Sequence, residues 1–154
     1  MLGRATFCAN TAEQMELLGE AIGAVLEAGD RVMLHGQLGA GKTTLTRGIG
    51  RALGAQGTVQ SPTFVLARTH RTTRGPRLVH ADAYRLGSAA ELYDLDIDFD
   101  NQIAVVEWPR DFIDAESDKV LAVTINPDYE SEQRVIEVCW QNSKWDFLEK
   151  LSLR

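Results

Sequence analysis

No stretch of eighteen consecutive apolar residues occurs in the 154-residue chain, which excludes a membrane-spanning helix of ordinary length. The opening Met1 to Asn10 holds no apolar segment of signal-peptide length either, so a cytoplasmic protein with no membrane association is expected. Cysteine is scarce, with Cys8 and Cys139 the two in the chain. They are too few for a disulfide scaffold, and neither has a histidine or second cysteine at metal-ligand spacing. Both lie in apolar, strand-like segments and are expected to be buried reduced thiols. Positive charge is short as well: 16 Lys and Arg face 22 Asp and Glu, for a formal net charge of −6. A surface built to wrap nucleic acid or anionic lipid is therefore not expected, and any contact with RNA would be indirect. Internal repeats, low-complexity tracts and linkers are missing too. The length fits one domain over residues 1–154, large enough to bury a core without disulfide or metal staples.

What the chain does contain is a phosphate loop. Gly36 to Thr43 read Gly-Gln-Leu-Gly-Ala-Gly-Lys-Thr, a full G-x-x-x-x-G-K-[ST] pattern. Glycines let such a backbone curl, so that N–H groups around Gly39, Ala40, Gly41 and Thr44 point at a polyphosphate beside a helix N-terminus. Lys42 would reach the β- and γ-phosphates and the Thr43 hydroxyl would ligate Mg²⁺. The same letters could also form a plain glycine-rich turn joining a strand to a helix. Their setting favours the phosphate loop: Arg31 to His35 is strand-like, Leu45, Ile49, Ala52 and Leu53 recur at helical spacing, and Gly54 suits a C-cap.

Around the loop the pattern alternates between strands and helices. Ala5 to Ala9 predicts a strand, and Asn10 with Glu13 a capping pair for a helix buried through Met15, Leu18, Ile22 and Val25. Pro62 in Ser61-Pro62-Thr63-Phe64 interrupts any helix, and Phe64 to Ala67 then predicts one arm of a β-hairpin. Its turn is Thr72 to Pro76 and its return arm Arg77 to His80. A short helix over Ser88 to Leu95 precedes the acidic run Asp94 to Asp100, whose alternation with Leu, Ile and Phe predicts one buried and one wet face rather than a calcium loop. Ile103 to Glu107 reads as a strand buried on both faces. Val120 to Ile125 and Arg134 to Trp140 add strands, and Trp145 to Leu151 a closing helix. The expected fold is a three-layer α/β domain of the P-loop NTPase type, with a mostly parallel central sheet plus antiparallel strands.

Hydrolysis needs more than phosphate binding: a carboxylate at a strand end must hold Mg²⁺ or orient the attacking water. Glu107 is the first candidate, since a central strand would deliver it to the sheet edge where ligands of open α/β sheets bind. The plainer reading is a solvated strand-end acid beside a core Trp108. Asp82 is the second, in His80-Ala81-Asp82-Ala83-Tyr84-Arg85, where an extended backbone would bring His80, Asp82 and Tyr84 to one side. Arg85 is either an ion-pair partner or a phosphate clamp. Thr63 stands where switch-type NTPases place a threonine that responds to γ-phosphate and Mg²⁺, or is an ordinary loop residue.

Four segments in one order, Gly-x-Leu-Gly-Ala-Gly-Lys-Thr-Thr, Ser-Pro-Thr-Phe, His-x-Asp-x-Tyr-Arg and Val-Glu-Trp-Pro, together resemble the TsaE (YjeE) family of small bacterial P-loop ATPases. The resemblance covers about residues 10 to 110. It implies an ATPase needed to form the threonylcarbamoyl group on the adenosine at position 37 of tRNAs that read codons beginning with adenine. It further implies action on the TsaD–TsaB complex, which ATP binding and hydrolysis would reset between turnovers, with tRNA met only through that complex. By matching position, Lys42 would hold phosphate, Thr43 and Glu107 would ligate Mg²⁺, and Asp82 would be a further acid near metal and water. Trp108 would lie beside the site, and Thr11 and Arg134 would contact the nucleoside. Two positions depart from the family pattern: Gln37 stands where many relatives carry an acid, and Asp96 where glycine is frequent. Two other functions fit the loop, a small-molecule kinase and a nucleotide-dependent interaction module with negligible hydrolysis.

Overall fold

The computed structural model describes residues 3–37, 39–60, 66–128 and 130–153. Strand β1 (Gly3–Ala9) leads into helix α1 (Ala12–Gly23), β2 (Arg31–Gly36) and α2 (Lys42–Leu53). The hairpin of β3 (Ala67–His70) and β4 (Leu78–Asp82) follows, then α3 (Ala89–Tyr93), β5 (Ile103–Glu107), β6 (Val120–Pro127), β7 (Arg134–Trp140) and a 3₁₀ helix, Ser143–Lys150. The segment Ser61 to Val65, with Thr63 and the start of the expected first hairpin arm, lies outside the described residues.

Seven strands form one sheet in the order β1-β7-β6-β2-β5-β4-β3. Its centre is parallel: β2 lies between β6 and β5, and β5 also pairs with β4 in parallel. Both margins are antiparallel, through β3 on β4 and through β6, β7 and β1. The sheet therefore matches the expected α/β class, parallel in the middle with antiparallel strands outside. Strand β5 is buried at every position, as a strand covered on both faces must be.

The face under α1 and α2 carries the larger core, with Leu18, Ile22, Leu45 and Ile49 packed against Val32, Val105 and Val123 of the sheet. The opposite layer is thin. Its core of Met33, Val79, Ala104 and Val106 is covered by Leu92 of α3 and by Ile97, Phe99 and Ile113 from irregular segments. In the acidic run the four aspartates are exposed while Ile97 and Phe99 are buried, as the alternation predicts. Asp96 adopts a left-handed backbone at φ 58°, the geometry that glycine serves most cheaply. No helix among the described residues is long and apolar enough to cross a membrane.

Four local expectations need correction. The first hairpin arm is Ala67–His70 rather than Phe64 to Ala67, since Leu66 takes φ 64° and cannot continue an extended strand. The cap of α1 is Thr11, whose hydroxyl accepts from the Gln14 N–H, while the Gln14 side chain accepts from the Asn10 N–H at 2.6 Å. The capping pair is thus shifted one residue from Asn10 and Glu13. Cys8 is exposed and Cys139 partly exposed rather than buried. Both belong to the antiparallel margin, where Phe7, Ile136 and Val138 take the core-facing positions and leave the alternate residues Thr6, Cys8, Glu137 and Cys139 outside the core. The closing helix is 3₁₀ and begins at Ser143, capped by the Asn142 side chain accepting from the Lys144 N–H.

Candidate active site

Strand β2 runs into the loop at Gly36, and the loop ends where Gly41 takes φ 111°, a value that requires glycine in practice. Helix α2 then starts at Lys42, with no side chain among the described residues capping it. The first-turn N–H groups of such a helix lack intrahelical partners, which suits them to an anion. The parallel register brings Leu34, Glu107 and Asp82 level with one another across β2, β5 and β4. Loop and carboxylates thus meet at the C-terminal edge of the central strands.

They share an open cleft of about 910 Å³. Gly39, Gly41, Lys42, Thr43 and Thr44 line it from the loop side, and Asp82, Glu107 and Trp108 from the ends of β4 and β5. A second depression of about 450 Å³ adjoins the loop at Gly39, Ala40 and Gly41, and holds Thr11 and Arg134 together. The residues singled out in the sequence therefore fall into two neighbouring hollows on one edge of the sheet. Thr63 lies outside the described residues.

Lys42 is buried, and its ammonium sits 3.4 Å from Glu107 Oε1 and 4.9 Å from the Trp108 ring centroid. The other carboxylate oxygen, Oε2, accepts from His80 Nε2 at 2.5 Å, and His80 is wholly buried. Burial alone would push the Glu107 carboxyl up. The hydrogen bond and charge of His80, followed by the charge and hydrogen bond of Lys42, outweigh it and hold the pKa below the usual carboxylate value. Asp82 behaves differently: it is half-buried, and its Oδ1 accepts from the Tyr84 N–H at 2.9 Å, turning the chain just after β4. That turn leaves Tyr84 exposed, so of the expected trio Asp82 and Tyr84 both line the cleft while His80 is buried beneath it.

Trp108 takes φ 54°, in the left-handed region where bulky residues are rare. Its ring stands edge-on between His35, at 5.8 Å, and Tyr84, at 5.9 Å. Arg110 is also left-handed, at φ 51°. Its guanidinium donates to the Ala83 carbonyl at 3.1 Å and to the Leu86 carbonyl, bracing the turn that carries Tyr84 and Arg85. Arg85 and Arg47 add two cations to the cleft. Sequence reading missed Arg47, although its place one helical turn after Thr43 was a usable signal, and it gave no sign of Arg110 as a brace.

The donors gathered here are hard oxygens: the Thr43 hydroxyl and the carboxylates of Asp82 and Glu107. Among the described residues no group of three or more His, Cys, Asp or Glu is assembled as a metal cage. That donor set suits Mg²⁺, which dehydrates reluctantly and is usually held by one or two carboxylates together with phosphates and water.

Comparison with known proteins adds an independent line. The family described as "Threonylcarbamoyl adenosine biosynthesis protein TsaE" matches residues 9–136. The tRNA threonylcarbamoyladenosine biosynthesis protein TsaE of Streptomyces coelicolor is 45% identical over 138 residues, covering 85% of this chain and 93% of that one. Its counterpart in Mycobacterium tuberculosis is 41% identical over 136 residues, covering 82% and 81%. The crystal structure of Bacillus subtilis YdiB shares the fold, with a TM-score of 0.73 over 96% of this chain and 93% of that chain at 23% identity. With the match extending over most of the sequence, the chain belongs to the TsaE family of tRNA threonylcarbamoyladenosine biosynthesis proteins.

Proposed function

We propose that the chain is a single P-loop ATPase domain that binds ATP with Mg²⁺ and hydrolyses it weakly alone and faster on a TsaD–TsaB complex. In that reading hydrolysis resets the complex between rounds of threonylcarbamoyl transfer to adenosine 37 of tRNAs reading codons that begin with adenine. The observation that carries it is the Lys42 ammonium, held beside the Glu107 carboxylate in a cleft that also contains Thr43 and Asp82. Lys42 and the loop N–H groups would bind the β- and γ-phosphates, and Thr43 with Glu107 would hold the metal. Asp82 would orient the attacking water, and Trp108 would flank the site. Bound Mg²⁺ supplies charge neutralisation on the phosphates. Thr11 and Arg134 would contact the nucleoside from the adjoining depression, and Thr63 would respond to the γ-phosphate.

One observation disfavours a small-molecule kinase. The segment after Trp108, where such enzymes need a mobile arginine-bearing lid, is tied to the body through Arg110 and the packing of Phe112 and Ile113. A pull-down of this chain with TsaD and TsaB, in ATP and in ADP, tests the proposal. Nucleotide-dependent capture is expected. Failure to bind in either nucleotide would remove the assigned role in the complex.

A further inference from the structure

The chemistry assigned to Glu107 depends on how its carboxylate is oriented, with one oxygen on His80 and the other turned to Lys42. We propose that His80 is a positioning residue: by donating its Nε2–H to Glu107 Oε2 within the core, it aims Oε1 at Lys42 and the cleft. The inference rests on the ATPase reading of Glu107 and deepens it.

Neighbouring parallel strands carry the pair. Asp82 lies level with Glu107, and His80, two residues earlier on β4, projects to the same face. A carboxylate can only accept a hydrogen bond, so Nε2 must carry the proton. His80 is 0% exposed, and its buried Nδ1 has no hydrogen-bond partner among the described residues. A histidine retained only for packing gains nothing from that arrangement, because a buried polar atom without a partner costs about 1–3 kcal/mol. Glu107 is therefore the one polar contact of this side chain among the described residues, and it is divided asymmetrically: Oε2 on His80, Oε1 3.4 Å from Lys42. The terminal torsion of glutamate is broad, so without the imidazole the carboxylate would be free to rotate and lose its single orientation.

The test compares His80→Leu with His80→Gln, since a glutamine amide can put a donor near the former Nε2. With TsaD and TsaB present, His80→Leu should lower kcat for ATP about 10- to 100-fold with KM little changed, the loss typical of removing an orienting partner. His80→Gln should recover most of it. A second readout needs no turnover: in ¹H–¹⁵N spectra of the wild-type chain, a solvent-protected imidazole Nε2–H should be present and should vanish in Glu107→Ala. Equal kcat in both His80 variants and the wild type, or an imidazole proton indifferent to Glu107→Ala, would overturn the proposal. Should His80→Leu fail to fold, the imidazole proton still decides. An absence of ATP turnover in the wild-type complex would defeat the ATPase reading, while the spectrum would still report whether His80 holds Glu107.

Discussion

Lys42 has two neighbours of different electrostatic kind, the Glu107 carboxylate and the face of Trp108, and both come from the end of β5. Truncating Glu107 would remove the strand-end acid and leave a buried ammonium without its counter-charge. Glu107→Ala should therefore cost the assembled complex about a hundredfold or more in turnover, a few kcal/mol of transition-state stabilisation. His35 offers a separate check at the same scale. Burial, and after it the charge of Lys42, lowers its pKa from the ordinary 6.5. The unfolded chain then binds more protons than the folded one between the folded pKa and pH 6.5, so stability rises with pH in that window. This contribution is full above pH 6.5 and is lost as the pH falls through the lowered value. Urea unfolding across that range should show the slope in wild type and its reduction in His35→Gln; parallel curves would refute it. That Lys42, Thr43 and Glu107 share one cleft was legible in the sequence because each belongs to a short contiguous pattern. The His80–Glu107 pair was not, because it joins residues of different strands through a register no local pattern encodes.

At the level of elements, α1 and α2 pack backbone against backbone at two glycines. A Cβ at Gly19 would come within 2.1 Å of the Leu45 carbonyl oxygen, and one at Gly48 within 2.1 Å of the Glu16 carbonyl oxygen. Neither backbone atom can yield cheaply, so Gly48→Ala should destabilise the protein by about 2–3 kcal/mol in urea unfolding. A change below about 0.5 kcal/mol, the range of a neutral surface substitution, would contradict that close packing. The hairpin is tied to the same helix. Arg74, in its turn, donates to the carbonyls of Gly23 and Ala24 at 3.1 Å and of Leu26 at 3.4 Å, where α1 ends. Discounted for its exposure, removal of those donors in Arg74→Met should cost about 1 kcal/mol, and an unchanged unfolding midpoint would show the clamp to be idle. Most elements were readable: the hydrophobic period marked α1, α2 and the strands other than β3, and the turn residues Thr72 to Pro76 marked the hairpin. The exposed cysteines were not, because composition cannot tell an alternating strand covered on both faces from one covered on a single face.

For the whole molecule, the parallel centre and the α2 start create the edge that carries the cleft, while the family match places the chain in tRNA threonylcarbamoyladenosine biosynthesis. A net charge of −6 provides no overall positive surface for wrapping nucleic acid, in keeping with the proposed indirect route to tRNA. Strand order was not legible beforehand, since the insertion of β2 between β5 and β6 rests on contacts far apart in sequence. The most direct test of the account is steady-state ATP turnover by the chain alone, then with TsaD and TsaB, for wild type and Glu107→Ala. Slow turnover alone, clear stimulation by the two partners, and loss of the stimulated rate in Glu107→Ala are expected. Turnover indifferent to the partners, or unaltered by the substitution, would contradict it.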